Sequence, residues 1–407
     1  MSDDLGLFDS DGDARPAPRR VEPDPRSRSG GRRKRRRSAV TWLVVVAMLV
    51  GVGAAAWFGL REIAGLGGYD DYTGSGEVNV LVEVSSGETT SDIGENLVNA
   101  NVVASVKAFT KAAADNAKVL GVQPGYYVMK TKMSGSAAVA KIVQPASKVG
   151  ALEVRPGNRL DDTKLPNGSV TPGIYSKLSK ASCAELGGKS TCVSAARLRQ
   201  VAQTAELSSL GVPDWALASA KRADPRHRLE GLIAPDVYQV KPGDSAQQLL
   251  TSLITSSALR WQADGMPTIA KGSGFTSYQL LVIASLSQSE AVRADFGKVA
   301  RVTYNRLAAN HKLQYDSTVN YVLERPEIRT KPSDRAKSGP YNTYANPGLP
   351  PTPISSPSKQ ALRAAANPTP GSWMYFVKCE KNGLSCFADT AAEHQRNVNE
   401  AQARGAY

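Results

Sequence analysis

Histidine and cysteine are scarce in this chain of 407 residues, with three of the first and four of the second. His227, His311 and His394 are scattered, and no CxxC pair spaces ligands for a zinc knuckle, so neither a metal nor a cofactor is expected. The GxSxG, Walker A and HExxH patterns are missing, which leaves out the hydrolases and nucleotide-binding enzymes built on them. The turn after Val240 reads KPGDS and lacks the run of glycines that cradles phosphate. Acidic side chains fall short of basic ones, 37 against 50, for a net charge of +13. Residues 1–37 hold 11 basic and 7 acidic groups, a local +4, so the other 370 residues still carry +9. Such a body suits an anionic partner, whether nucleic acid, anionic lipid or a wall polymer. A hydrophobic fraction of 41% supplies a real core and excludes a wholly disordered chain.

Long apolar runs are absent with one exception. Residues 39–60 read AVTWLVVVAMLVGVGAAAWFGL, 22 positions without a charge, enough to cross a hydrocarbon core of about 30 Å. Trp42 and Trp57 stand near its ends, where indoles favour the interface. Six basic residues, Arg32, Arg33, Lys34, Arg35, Arg36 and Arg37, come just before it and hold the N-terminus in the cytoplasm. A cleaved signal peptide is the competing reading, disfavoured by the length of the run and the lack of a clear cleavage site. The expectation is a single-pass plasma-membrane anchor with residues 61–407 outside, a topology that disfavours nucleic acid as a partner. Residues 1–38, rich in Asp, Pro, Arg and Ser, read as a disordered cytoplasmic basic tail. Glycines at 65, 67, 68, 74 and 76 make 61–76 a flexible tether.

The cysteines agree with an extracytoplasmic body. Cys183 and Cys192 are nine apart, Cys379 and Cys386 seven apart, and each pair can close a short loop as a disulfide. Buried free thiols are the alternative.

Order begins at residue 77. A strand over 78–84, helices over 89–100 and 105–120, a strand over 126–130 and a short helix over 134–143 make a small αβ unit. Its strand–glycine–polar start, VSSGET at 84–89, is echoed by VRPG at 154–157 and VKPGDS at 240–245. A repeated module and ordinary loop grammar both account for that. Farther on, Thr276 and Gln279 fit a capping box that opens a helix over 277–292. A second helix spans 296–310. Residues 311–358 are loop-rich, a composition that is usually functional or disordered at this length. A hairpin from WMYFV to Cys386–Phe387 and a terminal helix over 391–403 complete an α+β chain.

Chemistry has few places to sit. Glu290 follows Leu286 by four and Ile283 by seven, so all three share a helix face. A carboxyl on an apolar face has its pKa raised and suits a general acid; pairing with Arg293 or Lys298 at the edge of that face is the alternative. In LQYDST at 313–318, Gln314 and Asp316 point the same way if the segment is extended, although a solvent-facing turn fits as well. Tyr341, Asn342, Thr343 and Tyr344 offer aromatic faces and an amide suited to sugars, or turn chemistry with Asn342 capping a bend.

The motifs ASLSQSEA (284–291), KVARVTYNRL (298–307), LQYDSTVNY (313–321), YNTYANPGLPPTPISSPS (341–358) and WMYFV with FADTAAEHQRNV occur in an order that resembles the YceG-like endolytic murein transglycosylases. The segment LEGLIAPDVY at 229–238 is similar to that family's glycine, proline, aspartate and aromatic stretch. The resemblance covers roughly 78–403. It implies a LysM-like subdomain over 77–146 and a YceG-like catalytic domain over 147–407. It implies a lyase that cuts the β-1,4 bond from N-acetylmuramic acid to N-acetylglucosamine in peptidoglycan, leaves a 1,6-anhydro-muramyl end, and so terminates nascent glycan strands. Glycan strands, and wall synthases such as penicillin-binding proteins, are the implied partners. Glu290 matches the family's catalytic glutamate. Gln314, Asp316, Thr318, Tyr341, Asn342 and Thr343 match its cleft motifs and are assigned to substrate positioning. Where many relatives read Glu-Lys-Glu, this chain reads Gln288-Ser289-Glu290, so the first carboxylate is missing. That departure leaves open a catalytically silent glycan-binding scaffold that recruits synthases.

Overall fold

The computed structural model describes residues 46–53, 68–165, 167–323 and 330–406. It divides into two units, Met1–Gly68 and Tyr69–Tyr407. In the first, residues 46–53 are helical and exposed. The basic tail and the remainder of the expected anchor, 39–45 and 54–60, lie outside the described residues. Among the described residues no helix is long and apolar enough to cross a membrane.

The second unit is mixed α+β. Its opening residues correct the reading of 61–76 as a loose tether, because the described end of that segment is docked. Asp71 Oδ1 accepts the Gly135 N–H at 2.9 Å, and the Asp70 carbonyl accepts the Ser105 hydroxyl at 2.7 Å. Tyr72 donates to Asn101 Oδ1, and Ser75 bridges Met133. Helix starts leave N–H groups without partners, and a carboxylate placed there is held by both hydrogen bond and dipole. Composition alone does not show that these polar residues meet helix ends.

Strand β1 (Asn79–Val84), helices α1 (Thr90–Asn99) and α2 (Val106–Ala114), strand β2 (Gly125–Lys130), helix α3 (Gly135–Ile142) and strand β3 (Lys148–Val149) follow in order. The strands form one antiparallel sheet in the order β1-β2-β3, with Leu81 opposite Val128. Thr89 and Asp92 form a full capping box on α1. Helix α2 stops six residues before the sequence suggests. Asn116 takes the Lys118 N–H instead and starts a separate 3-10 turn, the usual way such side chains compete with a helix. Val82, Val84, Ile93, Leu97, Phe109, Met129 and Ile142 form the core here.

Through Gly150 the chain passes to β4 (Ala151–Val154), then α4 (Ile174–Ala181), α5 (Ala195–Thr204), α6 (Asp214–Arg222) and β5 (Asp236–Gln239), which pairs antiparallel with β4. A small hairpin of Glu185–Leu186 with Lys189–Ser190 is closed by a Cys183–Cys192 disulfide. The echoed turns all place glycine at positive φ: Gly87 at 85°, Gly157 at 82° and Gly243 at 99°. Two lead straight into helices, whereas Gly157 leads to the hairpin of Thr163–Lys164 with Val170–Thr171. The echo is therefore a shared turn rather than a repeated module.

Helix α7 (Ala246–Ala263) precedes α8 (Ser277–Glu290), α9 (Phe296–Ala308), α10 (Asp316–Val322) and α11 (Lys359–Ala366). Strands β6 (Tyr375–Lys378) and β7 (Ser385–Ala388) make a hairpin bridged by a Cys379–Cys386 disulfide, and α12 (Ala391–Ala403) packs on it. Thr276 and Gln279 form the capping box of α8. Leu280, Leu281, Val282, Ile283, Ala284 and Leu286 are all 1% exposed or less. A helix apolar all round belongs inside a core, and each such large side chain contributes about 1.5–3 kcal/mol. Ser285 and Ser287 survive there by donating to the Val282 and Ile283 carbonyls of their own helix.

The segment before α11 is loop-like yet buried, contrary to its surface-like composition. Thr352, Ile354, Ser355 and Ser356 are at most 2% exposed. Ser285 Oγ accepts the Ile354 N–H, and Ser356 exchanges backbone hydrogen bonds with Gly157 and Asn158. Gly231 makes room for it: its φ is +73°, and a Cβ there would stand 2.4 Å from Pro353 Cβ. Gly231→Ala is expected to cost about 2–3 kcal/mol, combining a left-handed backbone with a clash against a rigid ring. A denaturation midpoint within error of the parent would contradict that packing.

Candidate active site

Helix α8 ends where the core ends. Its last turn brings Gln288, Ser289 and Glu290 to the boundary between interior and solvent. Gln288 Oε1 accepts the Ser358 N–H at 3.1 Å and so anchors the start of α11. The position that lacks a carboxylate thus has a structural task.

Glu290 is half-buried. Its Oε1 accepts the backbone N–H of Ser317, the second residue of α10, at 3.2 Å. Burial pushes its carboxyl above the usual range. The Ser317 hydroxyl and amide oppose that, the hydroxyl without a hydrogen bond of normal geometry. The Asp316 charge reinforces the rise, and Lys378 weakens it. No pairing of Glu290 with Arg293 or Lys298 occurs among the described residues.

Asp316 is the second carboxylate nearby, and its oxygens are occupied. Oδ1 accepts the hydroxyls of Thr330 and Tyr344, both at 2.6 Å, while Oδ2 takes the Thr330 N–H and the Arg335 guanidinium at 3.3 Å. Burial alone raises the carboxyl of Asp316, but these donors outweigh it and leave the pKa below the usual value. Asp316 therefore stays ionised, while Glu290 is the carboxyl able to hold a proton.

The remaining sequence-assigned positions separate into two groups. Gln314 is exposed, but it is not extended: its φ is +52° and its N–H binds the Thr343 carbonyl. Of the two readings of this segment, the solvent-facing turn holds: Gln314 is a left-handed residue followed by a helix start at Asp316, and the strand-like alternation does not form.

Thr318, Tyr341, Asn342 and Thr343, assigned to substrate positioning, are interior, between 0% and 5% exposed. Thr318 and Thr343 share a hydroxyl–hydroxyl bond at 2.9 Å, and Thr343 Oγ1 also takes the Tyr315 N–H. The Tyr341 hydroxyl meets Thr352 Oγ1. Asn342 uses its whole amide on the Arg335 and Lys337 carbonyls and the Tyr344 and Ala345 N–H groups. Groups with their hydrogen bonds met internally build the loop that holds Tyr344 on Asp316; they have none to spare for a ligand.

Sequence reasoning missed Arg306, Ser317, Thr330 and Arg335. Buried Arg306 donates to the Leu313 and Met374 carbonyls and so pins the segment that leads to Asp316. Its signal was a charge on the apolar stripe that holds Val299, Val302 and Thr303.

A further carboxyl, Glu230, is buried in a second place. Oε2 accepts the Leu160 N–H at 3.2 Å and the Tyr321 hydroxyl at 3.0 Å, and Oε1 has no hydrogen bond of normal geometry. Burial pushes it up to about 7, against the Leu160 amide, the Tyr321 hydroxyl, Arg159 and the Gly231 amide. A raised carboxyl favours the fold most below its unfolded value of 4.5, and that advantage is lost as pH rises through about 7. Glu230→Gln is therefore expected to equal the parent in stability at pH 4 and exceed it at pH 8, by up to roughly 3 kcal/mol. Thermal unfolding at the two pH values reads this, and a gain that is the same at both would contradict it.

The sequence model of the YceG-like family matches residues 82–400. An endolytic murein transglycosylase of Bacillus subtilis is 28% identical over 330 residues, which are 79% of this chain and 84% of that protein. One from Streptococcus pneumoniae is 26% identical over 89% of this chain, which spans 64% of the streptococcal protein's length. The crystal structure of a yceG-like protein from Listeria monocytogenes superposes with a TM-score of 0.52 at 25% identity, covering 78% of this chain and 98% of that one. With 319 of 407 residues inside the match, this chain belongs to the YceG-like family.

Proposed function

We propose that this chain is a peptidoglycan lytic transglycosylase, a lyase that cleaves the β-1,4 bond between N-acetylmuramic acid and N-acetylglucosamine in endolytic fashion. Its relatives bear the name endolytic murein transglycosylase, which supports the general reading. The observation that carries the specific one is the division of labour between two carboxyls. Asp316 is saturated with donors and stays charged, and Glu290 is kept protonatable by burial.

One free carboxyl is sufficient for an internal displacement. Glu290 gives its proton to the N-acetylglucosamine oxygen as the bond to the muramyl anomeric carbon breaks. The muramyl 6-hydroxyl then attacks that carbon, forming the 1,6-anhydro ring, and its proton returns to Glu290. Hydrolysis would require a second carboxyl to serve a water or form a covalent adduct. Holding the 6-hydroxyl near the anomeric carbon replaces a bimolecular step. Gln314, exposed beside Asp316, is the sequence-assigned residue free to touch sugar.

In the same reading, residues 39–60 anchor the chain once in the plasma membrane with the N-terminus in the cytoplasm. The enzyme then acts on nascent strands beside the synthases and ends their elongation. The strand–helix–helix–strand order of β1, α1, α2 and β2 supports a LysM-like unit over 77–146 with the catalytic domain after it. Full-length protein incubated with purified sacculi is expected to release fragments with anhydro-muramyl ends. Binding without product would turn the reading to a silent scaffold. The use of Gln288 to anchor α11 weighs against that alternative, since the missing carboxylate is explained without loss of catalysis.

A further inference from the structure

Away from Glu290, a cavity of about 290 Å³ lies between the start of the hairpin after β4, the turn before β5 and the end of α10. Arg159, Lys164, Arg226, His227, Glu230 and Tyr321 line it, together with two aspartates. Those aspartates are already engaged: Asp161 pairs with Arg199, and Asp162 accepts the Gly173 N–H at 2.7 Å. Arg159 is half-buried, lies over the Tyr321 ring and spends one N–H on the Asn320 carbonyl. Lys164 and Arg226 are exposed and have no ion-pair partner among the described residues.

The cavity wall also contains an unmet need. Glu230 is 2% exposed, yet its Oε1 has no hydrogen bond of normal geometry. Buried polar atoms left alone cost on the order of 1–3 kcal/mol, so a ligand that supplies a donor there recovers that loss. Two uncommitted cations at the rim, with the unpartnered Glu230 Oε1 and His227 Nδ1 in the wall, describe a ligand with a carboxylate and an N–H. On an intact strand the muramyl lactyl group is tied up as an amide and the sugars are neutral, so the acidic group and the N–H that use both features lie on the stem peptide.

Position joins this cavity to the reaction centre. Tyr321 follows Ser317 by four residues on α10, about 6 Å along the same helix face. One end of that face gives its N–H to Glu290 and the other gives a hydroxyl to Glu230.

We propose that this cavity is a subsite for the stem peptide of the glycan strand, with Arg226 and Lys164 holding a stem carboxylate and Glu230 Oε1 accepting a peptide N–H. The assignment rests on the transglycosylase reading and adds to it a preference for peptide-bearing strands. Arg226 and Lys164 are surface side chains, so replacing both with alanine leaves the core intact, which a thermal melt verifies.

Two measurements on the full chain in detergent test it. In the first, muramyl-L-alanyl-D-glutamate is titrated against its isoglutamine analogue and against peptide-free N-acetylmuramic acid. The acidic dipeptide is expected to bind about tenfold more tightly than either, and Arg226→Ala with Lys164→Ala is expected to erase the difference. In the second, KM is compared on intact strands and on strands stripped by an amidase. The parent is expected to favour intact strands by about tenfold in KM, and the double variant to lose that preference. Equal binding of all three probes, or a double variant that keeps the preference, would overturn the proposal. Preference for peptide-free N-acetylmuramic acid would reassign the cavity to sugar and equally overturn it. Failure to make anhydro products would refute the transglycosylase reading while the titration still reported on the cavity.

Discussion

Glu290→Gln is expected to reduce release of anhydro-muramyl fragments by at least about 10³-fold. General acid–base groups typically contribute 10²–10⁴-fold, and here one group serves both the departure of the leaving oxygen and the closure of the ring. The loss should fall on kcat, because the amide keeps the shape of the side chain and still accepts the Ser317 N–H. Stability gives the control. Burial penalises the charged carboxyl, so the neutral amide should leave the melting temperature unchanged at acidic pH and raise it slightly above neutrality. The same shift sets the pH profile. Glu290 works as a proton donor below its raised pKa, so activity is expected to extend to a higher pH than an ordinary carboxyl permits. A variant with near-parental turnover would remove Glu290 from the chemistry.

Asp316 gives the second large effect, by a different route. Asp316→Ala leaves the Thr330 and Tyr344 hydroxyls and the Arg335 guanidinium without their shared acceptor. Losing such charge-assisted bonds is expected to destabilise the fold by about 2 kcal/mol and, by moving α10 against Glu290, to slow turnover by about 10²-fold. Asp316→Asn separates charge from shape. It removes the nearby anion that helps to raise the Glu290 carboxyl, so the alkaline limb of kcat should move to lower pH. Asp316 itself is stabilising above the usual carboxylate value, and that contribution is lost as pH falls through its depressed pKa. Turnover and pH limb that both match the parent in Asp316→Asn would show that Asp316 does not govern the proton donor.

The elements with strong local signals were legible from residues alone. The Thr276–Gln279 capping box, the β1 and β2 runs, the β6–β7 hairpin and α12 all stand where their patterns put them. Both cysteine pairs are joined as disulfides. Glu290 was singled out for a reason only half right. Sharing a face with Ile283 and Leu286 distinguishes little in α8, which is buried on every side; the last turn of the helix is what brings this residue to solvent.

The 341–344 loop misled in the opposite sense. Tyr, Asn and Thr suggest a surface that receives sugar, yet the alternative reading holds for Asn342, which caps a bend by accepting the Tyr344 and Ala345 N–H groups. Thr343 turns inward to Tyr315 and Thr318, a closure over 28 and 25 positions that composition does not encode. Gln314 shows the same limit at the backbone level, since nothing in its type announces φ of +52°. Glu230 lay within a recognised motif, but its isolation became visible only when Leu160 and Tyr321, 70 and 91 positions away, were seen to share one of its oxygens.

The central claim is that a single carboxyl drives attack by the sugar's own hydroxyl instead of by water. Digestion of sacculi in isotopically heavy water, followed by mass spectrometry of the new muramyl ends, tests it most directly. The account predicts termini that are one water lighter than reducing ends and carry no solvent oxygen. Reducing muramyl ends that carry the heavy oxygen would contradict it.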